Sequence, residues 1–172
     1  MTVCEIVPIR AALPSESEPL ADIALNGVYL PDSRHTKAAR QITPTLVEVD
    51  FQFNAYSRTI RQPDHVSAVQ IHAALLEGCF CVMASATAAG AVPKGFDMPT
   101  FLETRFDWLL VHQECLFRKM LPAGSDATLK FELTDARRQI LRQHFLRFDF
   151  GITGCVSATQ SWLLPASKLP RN

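Results

Sequence analysis

Residues 45–90 constrain the fold most, because an alternating segment is followed there by a long apolar one. Over eight positions of the first segment, apolar and polar residues alternate with the period of a half-buried β-strand. The apolar members are Val47, Val49, Phe51 and Phe53. We therefore predict a strand over residues 45–61.

The second segment, residues 64–89, holds few polar side chains and predicts one long helix. Asp64 can cap its first turn by accepting backbone N–H bonds, and Gly90 ends it. Such a helix is about 39 Å long, and we expect a kink or break near Gly78 or Ser85. A helix this apolar must be enclosed by other elements.

We predict that later strands enclose this helix, since the strand-like alternation of apolar and polar residues returns in four later segments. The predicted strands are residues 107–119, 126–135, 139–150 and 155–164. A short helix is predicted over residues 19–26, whereas 31–41 and 91–106 are predicted loops. Residues 1–19 are predicted to form an irregular arm, and 166–172 a frayed tail. We predict one α+β domain over residues 1–172. In it a curved antiparallel sheet of about five strands wraps the helix, as in the hotdog fold. The later four strands are expected to form a meander.

Charge and composition narrow the functional classes. The chain has 17 basic and 17 acidic residues and 48% hydrophobic residues, which gives no electrostatic footprint for nucleic acid or a membrane surface. With no net charge there is little self-repulsion, and an uncovered sheet edge favours pairing, so a homodimer or higher homo-oligomer is expected.

Cysteine usage and the N-terminal sequence predict a cytoplasmic protein. The five cysteines are odd in number and contain no CxxC pair, which favours a reducing compartment. The first 20 residues lack the uninterrupted apolar core of a signal peptide.

None of the strong catalytic motifs is present: there is no nucleophile elbow, phosphate-binding loop or zinc-protease helix. His65 and His72 are seven residues apart, about 10 Å along a helix, which is too far for one shared metal ion. We therefore expect neither a metal nor a cofactor.

The polar residues near the start of the central helix are the candidate site. A helix N-terminus presents free N–H groups and the positive end of its dipole, which suits an oxyanion. The candidates are His65, Ser67, Gln70, His72 and Glu77 on the helix, and Tyr56, Arg58 and Arg61 on the preceding strand. Each also has a structural interpretation as a cap, a hydrogen-bonded core group or a solvated charge.

Several short motifs resemble the hotdog-fold long-chain fatty acyl-CoA thioesterases of type III. They are Ala55-Tyr56-Ser57-Arg58, Ser67-Ala68-Val69-Gln70 and Phe117-Arg118-Lys119. The resemblance implies that Tyr56 and Tyr29 line the mouth of an acyl tunnel. That family has two asparagines on this helix. The resemblance places the first at Ser67 and the second at or beside Leu76, so that the acid Glu77 is the polar group nearest to the second position.

Relatives of that family in β-amino acid and isonitrile lipopeptide biosynthesis add glycine to the β-carbon of an enoyl thioester. By this resemblance we predict an enzyme that acts on a fatty acyl thioester of CoA or an acyl carrier protein, adds an amine such as glycine and releases a β-amino acid. Glu77, Tyr56, His72 and Ser67 would be catalytic, while Tyr29, Arg58, Arg61, His65 and Gln70 would bind substrate. The alternatives are a simple long-chain acyl-CoA thioesterase, an enoyl hydratase or dehydratase, and a non-catalytic acyl-binding scaffold.

Overall fold

The computed structural model describes residues 19–53, 65–140 and 144–169. Their α-helices are α1 (Leu20–Leu25), α2 (Ala68–Ala88) and α3 (Met98–Thr104). Their strands are β1 (Thr36–Thr43), β2 (Leu46–Gln52), β3 (Leu109–Phe117), β4 (Asp126–Ile140), β5 (His144–Thr153) and β6 (Val156–Pro165). The architecture is α+β, as predicted.

All described strands belong to one antiparallel sheet with the order β1-β2-β4-β5-β6-β3. The sheet packs around α2, and this confirms the hotdog arrangement. The predicted meander is wrong for β3, which pairs with β6 at the far edge and not with β4. The chain therefore crosses from one edge of the sheet to its interior between β3 and β4.

β1 was expected to be a loop, and this prediction is wrong. After a 3₁₀ turn at Pro31–Ser33, β1 pairs with β2, with Ala39 opposite Val49. No residue of β1 is fully buried, so its sequence lacks the alternation that marks a strand. The described sheet consequently has six strands, where about five were expected.

α2 starts later than predicted and is shorter. Its N-cap is Ser67, while the predicted cap Asp64 lies outside the described residues. The helix has 21 residues, about 32 Å, and continues without a break through Gly78 and Ser85. By length and composition it could cross a membrane, but 78% of its most apolar window is buried inside the protein. We therefore interpret α2 as a core helix.

Gly78 allows α2 to pack directly on the sheet. A Cβ atom at this position would lie 2.1 Å from Cζ of Phe131, which belongs to β4 and is fully buried. The glycine therefore leaves room for the aromatic ring against the helix backbone.

Two further predicted irregular segments contain short helical turns. Residues 91–106 include α3, which Asp97 caps by accepting the Thr100 N–H at 3.0 Å. The predicted tail forms a 3₁₀ turn at Ala166–Lys168, and Lys168 pairs with Asp107 at 2.8 Å.

Candidate active site

Two adjoining clefts lie where the first half of α2 faces the end of edge strand β3. Both are lined by Ala68, Ile71 and Phe117. The Arg118 cleft has a volume of about 420 Å³ and continues along His65, Arg118 and Lys119. The Gln113 cleft has a volume of about 350 Å³ and continues along His72, Leu75, Gln113 and Cys115.

Ser67 and Gln70 form a capping box at the start of α2. The Ser67 Oγ accepts the Gln70 N–H at 3.2 Å, and the Gln70 Oε1 accepts the Ser67 N–H at 3.0 Å. The N–H groups of Ala68 and Val69 have no acceptor among the described residues, and both residues line the Gln113 cleft. Backbone donors are therefore available at the cleft wall.

The two predicted histidines belong to different clefts. His65 is exposed in the Arg118 cleft and forms an isolated bridge with Pro122. His72 is half-buried one turn into α2 and lines the Gln113 cleft. Among the described residues no group of three or more His, Cys, Asp or Glu side chains could hold a metal ion.

The rim of the Arg118 cleft carries two cations. Arg118 and Lys119 are exposed, and the Arg118 Nε donates to the Ser157 Oγ at 2.6 Å. The wall beneath them is apolar, with Val66, Leu121 and Val156 among its residues. Such a cleft suits an amphiphile that has an apolar body and an anionic end.

Glu77 is fully buried and lines neither of these clefts. Its carboxylate accepts the N–H groups of His35 and Thr36 at 3.0 and 2.8 Å, and the Thr36 hydroxyl at 2.7 Å. These contacts fasten the start of β1 to the middle of α2. Its catalytic role stays a prediction from the sequence.

Tyr29 lies close to Glu77 in the same buried region. Burial, together with the negative charge of Glu77, raises the pKa of Tyr29 to about 12. Tyr29 is half-buried against the core and is not one of the residues that line the two clefts.

Three residues predicted from the strand end, Tyr56, Arg58 and Arg61, lie outside the described residues. The described candidates therefore separate into two groups. Ser67, Gln70 and His72 lie at the first turns of α2 with His65 just before them, and Glu77 and Tyr29 lie deeper in the fold.

The structure adds Gln113 and Gln160, which the sequence reasoning did not identify. They are directly opposite each other on β3 and β6, and the Gln160 Nε2 donates to the Gln113 Oε1 at 2.9 Å. Gln160 is buried, and its Oε1 accepts the Trp162 Nε1–H at 3.0 Å and the Cys79 S–H at 3.2 Å. A glutamine among apolar residues of a predicted strand was the available signal.

The Cys79 thiol is a donor because it is protonated. Burial raises its pKa well above the usual value, and burial likewise raises the pKa of Cys81. Neither thiol is therefore a nucleophile at neutral pH. Cys115, which lines the Gln113 cleft, also has a pKa raised by desolvation.

No protein-family model and no curated protein matches this sequence. Among solved structures, a homologue of HP0420 from Helicobacter felis is similar with a TM-score of 0.51 and 9% identity, over 87% of this chain and 92% of that chain. A hypothetical thioesterase with coenzyme A from Streptococcus pneumoniae gives 0.45 and 12% over 73% and 82%. A Streptococcus mutans protein bound to acetyl CoA gives 0.47 and 10% over 82% and 96%.

At these identities the likeness concerns the fold. The observed strand order and the similarity to the Helicobacter felis protein place this chain among hotdog-fold proteins.

Proposed function

We propose that this protein is an enzyme that hydrolyses or otherwise processes fatty acyl thioesters. The observation that carries the proposal is the pair of adjoining clefts at the N-terminal half of α2. They combine an apolar wall, a histidine, helix N–H groups that have no acceptor in the part of the chain that the structure describes, and a cationic rim. An acyl thioester has the matching parts: an apolar chain, a carbonyl and, on CoA or a carrier protein, phosphate.

In the proposed reaction a water molecule attacks the thioester carbonyl carbon, and His72 takes the proton of that water. The N–H groups of Ala68 and Val69 stabilise the negative charge that develops on the carbonyl oxygen. The carbon–sulfur bond then breaks, and the departing thiolate receives the proton, which leaves a free fatty acid and a thiol.

The first experiment measures thiol release from acyl-CoAs of increasing chain length. A general base contributes about 10²–10⁴ to the rate, so His72→Gln should lower kcat by about 10² or more. The matched control is His144→Gln on β5, which is exposed and lines neither cleft. Absence of turnover by the parent with every acyl-CoA and acyl carrier protein thioester would refute the proposal.

A substitution at the cationic rim tests whether the acyl group is carried on a phosphate-containing carrier such as CoA. Lys119→Gln should raise KM for acyl-CoA, but leave KM unchanged for an acyl N-acetylcysteamine thioester, which has no phosphate. Lys130→Gln is the control, since Lys130 is exposed on β4 and lines neither cleft. An equal KM change for both thioesters would exclude a phosphate contact at Lys119.

Glycine addition is the more specific reaction proposed from the resemblance. It requires a carbonyl activator, a base for the ammonium group and a cation for the carboxylate. In this sequence Arg58 or Arg61 would take the last role, because an arginine fork suits a carboxylate. Incubation with an enoyl thioester and glycine should give a mass-spectrometric product one glycine heavier than the enoic acid. Free enoic acid alone would leave simple hydrolysis as the function.

We also propose a homodimer formed through β3. This edge strand exposes Leu109, Val111 and Leu116 to between 51 and 63%. It has one carboxylate, Glu114, and no lysine or arginine, so two copies would meet with little repulsion. Because both clefts end at β3, a second copy there would close their open side.

A further inference from the structure

The hydrogen-bond chain behind the Gln113 cleft determines the orientation of the Gln113 amide. An indole N–H can only donate, so the Gln160 atom that faces Trp162 must be its oxygen. The protonated Cys79 thiol donates to the same oxygen. The remaining end of Gln160 is therefore its NH₂ group, which points at Gln113.

The orientation of the Gln160 amide fixes that of the Gln113 amide in the same way. Because Gln160 donates, the Gln113 atom that receives this bond must be its oxygen. The NH₂ group of Gln113 is then the free end, and it has no acceptor among the described residues. Gln113 is only partly buried and lines the cleft that His72 and the start of α2 also line.

We propose that Gln113 is a catalytic hydrogen-bond donor to the thioester carbonyl oxygen, and that Gln160 and Trp162 are positioning residues that hold its NH₂ group toward the cleft. This inference rests on the proposed function and adds a residue to its mechanism. A donor held in place before the substrate binds needs no reorganisation when negative charge develops on the oxygen. Burial of Gln160 and Trp162, at 1 and 6% exposure, prevents water from competing for their hydrogen bonds.

Gln113→Glu tests the donor with little other change. The carboxylate still accepts the Gln160 N–H, but it has no donor for the carbonyl. Loss of one such donor costs about 10²–10³ in kcat, and we expect a decrease of that size with a smaller change in KM. Gln41→Glu on the opposite edge strand β1 is the matched control and should retain parental kcat. A kcat of Gln113→Glu within threefold of the parent would refute the role.

Trp162→Phe tests the positioning role. It removes the N–H group that fixes the orientation of Gln160, and we expect kcat to fall about tenfold. In a double-mutant cycle the two changes should be non-additive, because both act through the same donor. If Trp162→Phe lowers kcat by the same factor in the Gln113→Glu background as in the parent, Trp162 acts only through packing.

Binding measurements separate this inference from the proposed function. One CoA ligand is a ketone in which a methylene group replaces the thioester sulfur, and the other is a thioether without a carbonyl. The parent should bind the ketone more tightly, and Gln113→Glu should lose this preference. If the parent prefers the ketone through Gln113 but does not turn over thioesters, the proposed function alone is refuted. If thioester turnover is insensitive to Gln113, this inference alone is refuted. If the parent binds neither ligand, both are refuted.

Discussion

At the scale of single residues, Glu77 is the buried carboxylate whose contacts differ most from its predicted role. Its hydrogen bonds join His35 and Thr36 to α2. We infer that it fixes the beginning of β1, because a carboxylate that accepts three donors in the core stabilises the segment that supplies them. To act as a general base, Glu77 would have to give up these hydrogen bonds when it accepts a proton.

Glu77→Gln should lower the free energy of unfolding by about 3 kcal/mol, because an amide NH₂ group then faces one of these donors. Chemical denaturation measures this loss, and kcat per folded molecule should stay at the parental value. Glu132→Gln, an exposed change on β4, is the control. A large loss of kcat at unchanged stability would instead support the catalytic role predicted from the sequence.

Tyr29 gives a prediction about alkaline pH. Its pKa of about 12 is above the usual value near 10, so the folded state favours the neutral phenol. The resulting stability is complete below pH 10 and is lost as the pH rises toward 12. After discounting for the partial exposure of this side chain, we expect a loss of about 1 kcal/mol.

The chain contains two tyrosines, Tyr29 and Tyr56, which makes this titration readable. In a Tyr56→Phe variant, phenolate absorbance reports Tyr29 alone and should show a midpoint near pH 12. Unfolding experiments on Tyr29→Phe should show a smaller stability loss between pH 10 and 12 than the parent. A midpoint near pH 10 would contradict the buried environment described for Tyr29.

At the scale of secondary-structure elements, the contact between α2 and β4 depends on Gly78. Gly78→Ala would improve helix propensity by about 1 kcal/mol, but its Cβ would overlap the Phe131 ring. We expect the overlap to dominate and the free energy of unfolding to fall by about 3 kcal/mol, as measured by denaturant titration.

The control for this prediction is Gly151→Ala on β5. A Cβ there would meet the Thr134 Cγ2 at 3.4 Å, which is close to ordinary contact, so the change should stay within about 1 kcal/mol. Phe131→Leu should recover part of the stability in the Gly78→Ala background, because a smaller side chain frees the space. Equal effects of Gly78→Ala and Gly151→Ala would contradict the proposed close packing.

The same elements show how much of the fold the sequence could predict. β2 was recognisable because burial of one face imposes a period of two on its side chains, and α2 was recognisable from the length of its apolar run. β1 was not, since none of its residues is fully buried, and the position of β3 was not, since pairing with β6 is a long-range choice between edges. Local periodicity and the length of the apolar run therefore identified the core elements but could not specify one edge strand or the order of the sheet.

The candidate site divides in the same way. Ser67, Gln70 and His72 were predicted as polar residues near the start of the central helix, but the capping box was not predicted, since Asp64 was the expected cap and Ser67 is the N-cap. The partners of Glu77 come from the unpredicted β1, and the Gln113–Gln160 contact depends on a strand register across 47 residues. Polar groups whose partners are distant in sequence can therefore be noticed in a sequence, but their roles depend on the fold.

At the scale of the whole molecule, the apolar edge of β3 predicts the assembly. Val111 is 51% exposed at this edge, whereas the opposite edge strand β1 carries Lys37 and Arg40. Charged residues on an edge oppose pairing, so a second copy should join β3 and not β1. Sedimentation velocity at micromolar concentration should therefore show a dimer for the parent and a monomer for Val111→Lys.

Ile42→Lys on β1 is the matched control, because Ile42 is similarly exposed, at 55%, and lies on the opposite edge of the sheet. This variant should remain a dimer. Ile42→Lys should also keep the parental unfolding temperature, since an exposed side chain contributes little to the core. The Val111→Lys monomer should also lose thioester turnover, because its clefts then stay open to water at the β3 edge. A monomeric parent, or a dimer that survives Val111→Lys and dissociates with Ile42→Lys, would contradict pairing through β3.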